Sequence, residues 1–197
     1  MRFTLLAVAA GLGVGLLAGG RLEHLGSRTL RLGPLLLGGL AAQLLSSQAA
    51  GGRSTVLLVA SYTLLLAFAA ANVVVVGMWL VAGGIALNLA VIAANGGMPV
   101  RESALRAAGV LEPGTTVALD SASKHHLERP SDRLVVLGDI IPAKPLREVV
   151  SFGDVVMAVG VADVVAHLLR PRAGGRTRPQ GDPDDDRCRG ESVGASG

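Results

Sequence analysis

The stretch that decides the fold is residues 55–94, which read TVLLVASYTLLLAFAAANVVVVGMWLVAGGIALNLAVIAA and carry no charge. As one helix, these 40 residues would be about 60 Å long, roughly twice the thickness of a bilayer's hydrocarbon core. A segment of that length therefore folds back on itself in lipid. Asn72 is the only strongly polar residue near its middle, so we place the reversal there, between spans at about 55–71 and 74–94.

Three further segments, at about 3–20, 34–50 and 149–169, hold almost no charge. Charged residues make up 17% of the chain, against about 25% in soluble domains. We therefore predict an all-α membrane protein, a bundle of about five transmembrane helices with a long, partly ordered extracytoplasmic loop, 95–148, between helices 4 and 5. The first run exceeds a signal-peptide core, so we expect an uncleaved helix. Residues 1–170 form the membrane domain, and 171–197 form a disordered cytoplasmic tail.

The arginines near the spans predict the orientation. Five spans put the termini on opposite sides, and the loop 95–148 balances seven basic against seven acidic residues. Basic loops stay in the cytosol, which places the amino terminus outside and the carboxyl terminus inside a multi-pass cell-membrane protein. Arg2 and Arg53 then lie outside, and the arginines inside are Arg21, Arg28, Arg31, Arg170, Arg172, Arg176 and Arg178.

Several function classes are disfavoured by composition. Aromatic residues are only 3% of the chain, which argues against base stacking and hence against a nucleic-acid partner. The single cysteine, Cys188, excludes an intramolecular disulfide and a cysteine metal site. We expect the lipid bilayer as partner, no cofactor, no metal and no catalytic residues.

Four segments resemble a signature of a known family. They are NLAVIAANGGMPV at 88–100, KHHL at 124–127, LGDIIP at 137–142 and VSFGD at 150–154. Together with Gln43 and the 31–34 entry to the second span, they are similar to bacterial, mainly actinobacterial and Gram-positive, multi-pass membrane proteins known only as a domain of unknown function. Val135-Val136 stands where that family has a Pro–aromatic pair. The resemblance covers about residues 1–170 and implies a membrane fold but no activity.

Small residues recur along the first span. Gly11, Gly15 and Gly19 are four residues apart, the small-xxx-small spacing that lets helix backbones approach closely in lipid. This face packs within the chain, binds other membrane proteins or supports self-association with a second copy.

Two asparagines mark the fourth span. Asn88 and Asn95 are seven residues apart, which puts them on one helix face. Buried amides bond across helices in lipid. The alternative is a polar pathway lined by these two residues and Asn72.

The fifth span carries two acidic residues. Ser151 and Asp154 have capping-box spacing, so they either cap the helix or help to bind an external ligand. A carboxylate at the depth of Asp163 needs a partner or a proton, and His167 is one turn further on. A buried Asp163–His167 pair is therefore predicted, either as a tolerated charge or as part of a proton-coupled function.

The loop 95–148 holds the other candidate ligand- or partner-binding residues, His125, His126 and Asp139. Adjacent histidines point in different directions, and no helical ligand spacing such as HExxH is present, so a metal site is not predicted. The histidines either form surface hydrogen bonds or belong to a site for a lipid headgroup or a wall precursor.

Three functions remain open from the sequence. The leading hypothesis is a non-enzymatic partner-binding or envelope-associated component. The first alternative is a small transporter or permease-like subunit that uses the polar residues of the fourth and fifth spans. The second alternative is a membrane enzyme with a site in 95–148.

Overall fold

The fold is mostly helical in the computed structural model, which describes residues 2–27, 30–49, 51–112 and 125–170. The predicted tail 171–197 and Arg28 lie outside these residues. The elements in chain order are α1 (Arg2–Leu17), α2 (Gly33–Ser46), α3 (Gly52–Ala71), α4 (Met78–Asn95), β1 (Met98–Val100), α5 (Glu102–Ala107), β2 (His125–Leu127), β3 (Asp139–Ala143), β4 (Glu148–Ser151) and α6 (Phe152–Leu168). Two helices, α3 and α4, are long and apolar enough to cross a membrane by length and composition.

The uncharged stretch is divided at Asn72, where α3 ends. The buried Asn72 side chain accepts a hydrogen bond from the Arg31 amide at 2.7 Å and donates one to the Arg31 carbonyl at 2.9 Å. A second donation, to Phe68 in the last turn of α3, is 2.8 Å long. One amide side chain thus closes α3 and holds the entry of α2 against it.

Helices α1 and α6 run parallel to each other. Gly11 faces Ala162, and Gly15 faces Ala166 one turn further along both helices. A Cβ at Gly11 would lie 2.5 Å from the Ala162 carbonyl oxygen, so only glycine permits this approach. Gly19 does not belong to this packing face, which corrects the prediction. It follows the end of α1 with φ +82°, and a Cβ at this position would meet nothing within 4 Å.

The other neighbouring helices run antiparallel. In the pair α4 and α6, Gly84 lies against Gly153 and Gly77 lies against Gly160. The helix ends therefore fall into two groups. The sheet end comprises Arg2, Ser46, Gly52, Asn95 and Phe152, and the hairpin end comprises Leu17, Gly33, Ala71, Met78 and Leu168.

A four-stranded sheet corrects the all-α prediction. Its order is β2-β1-β3-β4, with β1 parallel to β2 and β3, and β3 antiparallel to β4. Strand β4 takes residues 149–151, which were predicted as the start of the fifth span, so α6 begins only at Phe152. Strands β1 and β2 were missed because they have three residues each, too few for a readable alternation, and because β1 pairs with strands distant in sequence.

An apolar cluster joins the bundle to the sheet. Leu58 of α3 and Val91 and Ile92 of α4 bury themselves against Met98 of β1, and Leu137 packs on this group. Leu137 thus attaches the loop before β3 to the helices.

Candidate functional site

A small enclosed pocket lies where α3, α4 and α6 meet the sheet. Its volume is about 60 Å³, enough for a few waters or a small ion and far below the several hundred Å³ of sites for drug-sized molecules. The apolar side of the wall is formed by Leu58, Ile92 and Met98, and the polar side by Tyr62, His125, Asp139 and Asp154.

Asp154 enters the pocket from the first turn of α6. Its Oδ2 accepts a hydrogen bond from the Ser151 amide at 3.0 Å, and its own amide donates to the Ser151 hydroxyl at 3.0 Å. The predicted capping box is therefore confirmed, with Asp in place of Glu. The capping box thus gives the carboxylate one hydrogen bond, at the positively polarised amino-terminal end of α6.

The second donor to Asp154 is Asn88. Its Nδ2 donates to Asp154 Oδ1 at 2.8 Å, and its Oδ1 accepts a 3.0 Å bond from the Ser151 hydroxyl. Asn88 is fully buried. The amide therefore bonds across helices, the first of the two alternatives predicted for it. It links α4 directly to the capping box of α6.

Glycines make this close approach of α4 and α6 possible. A Cβ at Gly153 would overlap the Asn88 side chain, and a Cβ at Gly84 would lie 2.5 Å from the Gly153 carbonyl oxygen. In this position the small residues bring a buried amide within reach of a carboxylate on the neighbouring helix.

The sheet supplies the remaining two polar groups. Asp139, the first residue of β3, is aligned with Val100 of β1 and with Ser151 of β4. His125, the first residue of β2, is aligned with Met98 on the other side of β1. The parallel arrangement brings His125 Nδ1 to 3.0 Å from Asp139 Oδ2, and the aspartate side chain is only 6% exposed.

A second His–Asp pair of the same kind lies outside the pocket. His126 Nε2 is 3.0 Å from Asp132 Oδ2, and the Asp132 side chain is also 6% exposed. Asp132 additionally accepts a hydrogen bond from the Arg129 amide at 2.8 Å. As predicted, the two adjacent histidines point to different partners, because successive residues of an extended chain face opposite sides.

Asn95 does not share a network with Asn88. It accepts from the Arg133 amide at 2.7 Å and donates to the Arg133 carbonyl at 2.8 Å. This two-bond clamp on a distant backbone repeats what Asn72 does with Arg31. Asn72 and Asn95 thus hold loops at opposite ends of the bundle, and their hydrogen bonds contribute to tertiary structure.

The Asp163–His167 contact is present at 3.0 Å. The Asp163 and His167 side chains are 37% and 25% exposed, so the protein itself covers the pair only partly. Asp163 lies near Gly77 at the start of α4, which places the pair toward the hairpin end and away from the pocket.

One carboxylate outside the pocket has a shifted pKa. Partial burial of Glu148 raises the pKa of its carboxyl, but hydrogen bonds from the amino-terminal end of the chain outweigh that effect, so the net shift is downward. They include bonds from the Arg2 amide at 3.0 Å and the Phe3 amide at 3.1 Å. Glu148 therefore anchors the start of α1 to β4.

Tyr62 is the pocket residue that sequence reasoning missed. It is the only tyrosine of the chain and lies in the uncharged stretch 55–94, which was the available signal. Among the residues with described positions, no group of three or more His, Cys, Asp or Glu is arranged to hold a metal ion.

The fold and the pocket define a mostly helical protein with two candidate membrane-spanning helices, a small mixed sheet and a buried acidic site between them. The chain belongs to the family of unknown function DUF5317, whose model matches residues 30–166, more than half of the sequence. No curated protein and no solved structure matches it.

Proposed function

We propose that the chain is a five-span membrane protein in which α1, α2, α3, α4 and α6 cross the bilayer. Only 28% of the 18-residue apolar stretch in α3 and 33% of that in α4 is buried inside the protein. The core helix of a soluble protein is mostly buried. Large apolar side chains also point outward from the other three helices, among them Leu5 (67% exposed), Leu37 (68%) and Phe152 (51%). Lipid is the solvent that suits such a surface.

The shorter helices fit this proposal with modest adjustment. Helix α2 has 14 residues and would rise about 21 Å, and α6 has 17 and would rise about 26 Å. A bilayer thins locally around short spans at a cost of a fraction of a kcal/mol per Å.

The proposed orientation places the sheet end outside the cell. Arg21, Arg31 and Arg170 lie at the hairpin end, close to the spans, whereas Arg2 and Arg53 lie at the sheet end. The bias of positive charge favours a cytosolic hairpin end and carboxyl terminus. The pocket then opens toward the exterior.

Within this frame we infer a non-enzymatic binding protein of the cell envelope that takes a small monovalent cation in the pocket. The observation that carries the inference is that the carboxylates of Asp139 and Asp154 line one 60 Å³ pocket together with the Tyr62 side chain. His125 is paired with one of the two acids, Asp139.

The test is cation-dependent stability of the full chain in nanodiscs. We expect Na⁺, K⁺ or NH₄⁺ at 100 times its Kd to stabilise the protein by about 2.7 kcal/mol, seen as a higher Tm than in a large organic cation such as N-methylglucamine. Asp139→Asn should abolish this dependence.

The matched control is Asp132→Asn, which breaks the His126 pair outside the pocket, where the N–O distance and the exposure of the aspartate equal those of the His125–Asp139 pair. It should lower the Tm but preserve the cation dependence. A dependence that survives Asp139→Asn, or that both variants lose equally, contradicts the proposal.

A small transporter is the second candidate, because α6 carries acidic side chains toward both of its ends. Asp154 lies in the pocket, and Asp163 lies nine residues on, about 13 Å along the helix. Flux of the bound cation into proteoliposomes, lost in Asp163→Asn with the fold retained, would support transport.

A further inference from the structure

A second cavity lies on the outer surface of the bundle, at the sheet end. It is an open groove of about 460 Å³ between the last turn of α2 and the first turns of α3. The residues that line it are Leu45, Gln48, Ala49, Arg53 and Leu57. This volume is within the range of sites for drug-sized ligands, which a lipid headgroup with the first carbons of its chains resembles in size.

The lining of the groove is amphipathic. Leu45 is 55% exposed on one wall, and Leu57 forms the other, so both present apolar surface. The exposed side chains of Gln48 and Arg53 lie at the end of the groove nearer the loop between the helices. Arg53 makes no hydrogen bond or ion pair with any part of the chain that the structure describes.

We propose that this groove binds an anionic phospholipid. Its phosphate would sit on the Arg53 guanidinium, which can bind two phosphate oxygens at once, with Gln48 as a further donor. The first carbons of an acyl chain would lie along Leu45 and Leu57. The charge is complementary, and the groove lies at a helix end, which is where headgroups are found if the helices span the bilayer. The inference therefore rests on the proposed membrane location.

The test uses the full chain in nanodiscs of phosphatidylglycerol and phosphatidylcholine in equal amounts. After release into mild detergent, native mass spectrometry counts the retained lipids. We expect the protein to retain phosphatidylglycerol preferentially and Arg53→Gln to lower that retention about fivefold, the factor set by one arginine near an anionic headgroup. Arg53→Lys should retain an intermediate amount.

Arg21→Gln is the matched control, because it removes the same charge from an exposed site at the hairpin end. Unchanged retention in Arg53→Gln, an equal loss in Arg21→Gln, or equal retention of both lipids overturns the groove site alone. Competition by soluble glycerol phosphate at the affinity of the lipid would also overturn it, because the apolar walls would then contribute nothing. A chain that does not enter nanodiscs overturns the membrane proposal as well.

Discussion

The Asn88 amide donates a 2.8 Å hydrogen bond to the Asp154 carboxylate, and this bond joins α4 to α6 at the point where α6 begins. The Oδ1 oxygen of the same amide accepts a hydrogen bond from the hydroxyl of Ser151, the residue that caps α6. One side chain therefore fixes both the packing of two helices and the start of one of them. The remaining face of Asp154 is turned to the pocket.

Asn88→Ala should destabilise the protein by about 1–2 kcal/mol, because it removes interhelical hydrogen bonds and leaves part of Asp154 without a donor. The free energy of unfolding in micelles, from denaturant titration, measures this. Thr63→Ala is the control, because the exposed Thr63 hydroxyl bonds only to Val59 in its own helix. Equal losses in the two variants would mean that the Asn88 bonds contribute nothing special.

Neighbouring glycines of α4 should respond oppositely to alanine. A Cβ at Gly84 would lie 2.5 Å from the Gly153 carbonyl oxygen and 2.6 Å from the Met157 amide nitrogen, whereas a Cβ at Gly83 would meet nothing within 4 Å. Gly84→Ala should cost about 1–3 kcal/mol through overpacking. Gly83→Ala should be neutral or stabilise by up to about 1 kcal/mol through helix propensity. A cost at both positions, measured by the same titration, would show that α4 and α6 are not packed as described.

The stability that Glu148 provides should depend on pH. Its pKa is lowered in the folded protein, so it contributes stability at neutral pH that is lost as the pH falls through the folded-state pKa. Glu148→Gln should therefore lower the Tm at pH 7, and the gap from the unsubstituted protein should shrink below the ordinary pKa of a glutamate, about 4.3.

Glu102→Gln is the reference for that titration, because Glu102 pairs with Arg106 one turn away in α5 and does not hold α1. It should have little effect on the Tm, since exposed pairs of this kind contribute a few tenths of a kcal/mol. A gap for Glu148→Gln that stays constant from pH 7 to pH 3 would contradict the account.

Local features of the sequence predicted the local parts of the structure. The capping box at Ser151 and Asp154 needs residues only three apart. Family membership, too, was readable from motifs that lie within short segments. In each case the deciding residues are neighbours in the chain.

The pocket depended on pairings that no local pattern encodes. His125 meets Asp139 only because β1 lies between their strands, and Tyr62 lines the pocket only because α3 packs against α4. Gly19 was misassigned because the four-residue spacing continued one step beyond the last turn of α1. Long-range packing decides such contacts, so the sequence could supply the candidates but not their partners.

The most direct test of the central claim is the side of the membrane on which each helix end lies. In a Cys188→Ser background, single cysteines at exposed positions are made by Ser47→Cys, Ser103→Cys and Glu23→Cys. The five-span account predicts that a membrane-impermeant maleimide labels positions 47 and 103 in intact cells and position 23 only after permeabilisation. Labelling of 47 and 103 from opposite sides would contradict it, because α3 and α4 would then not form a hairpin across the bilayer.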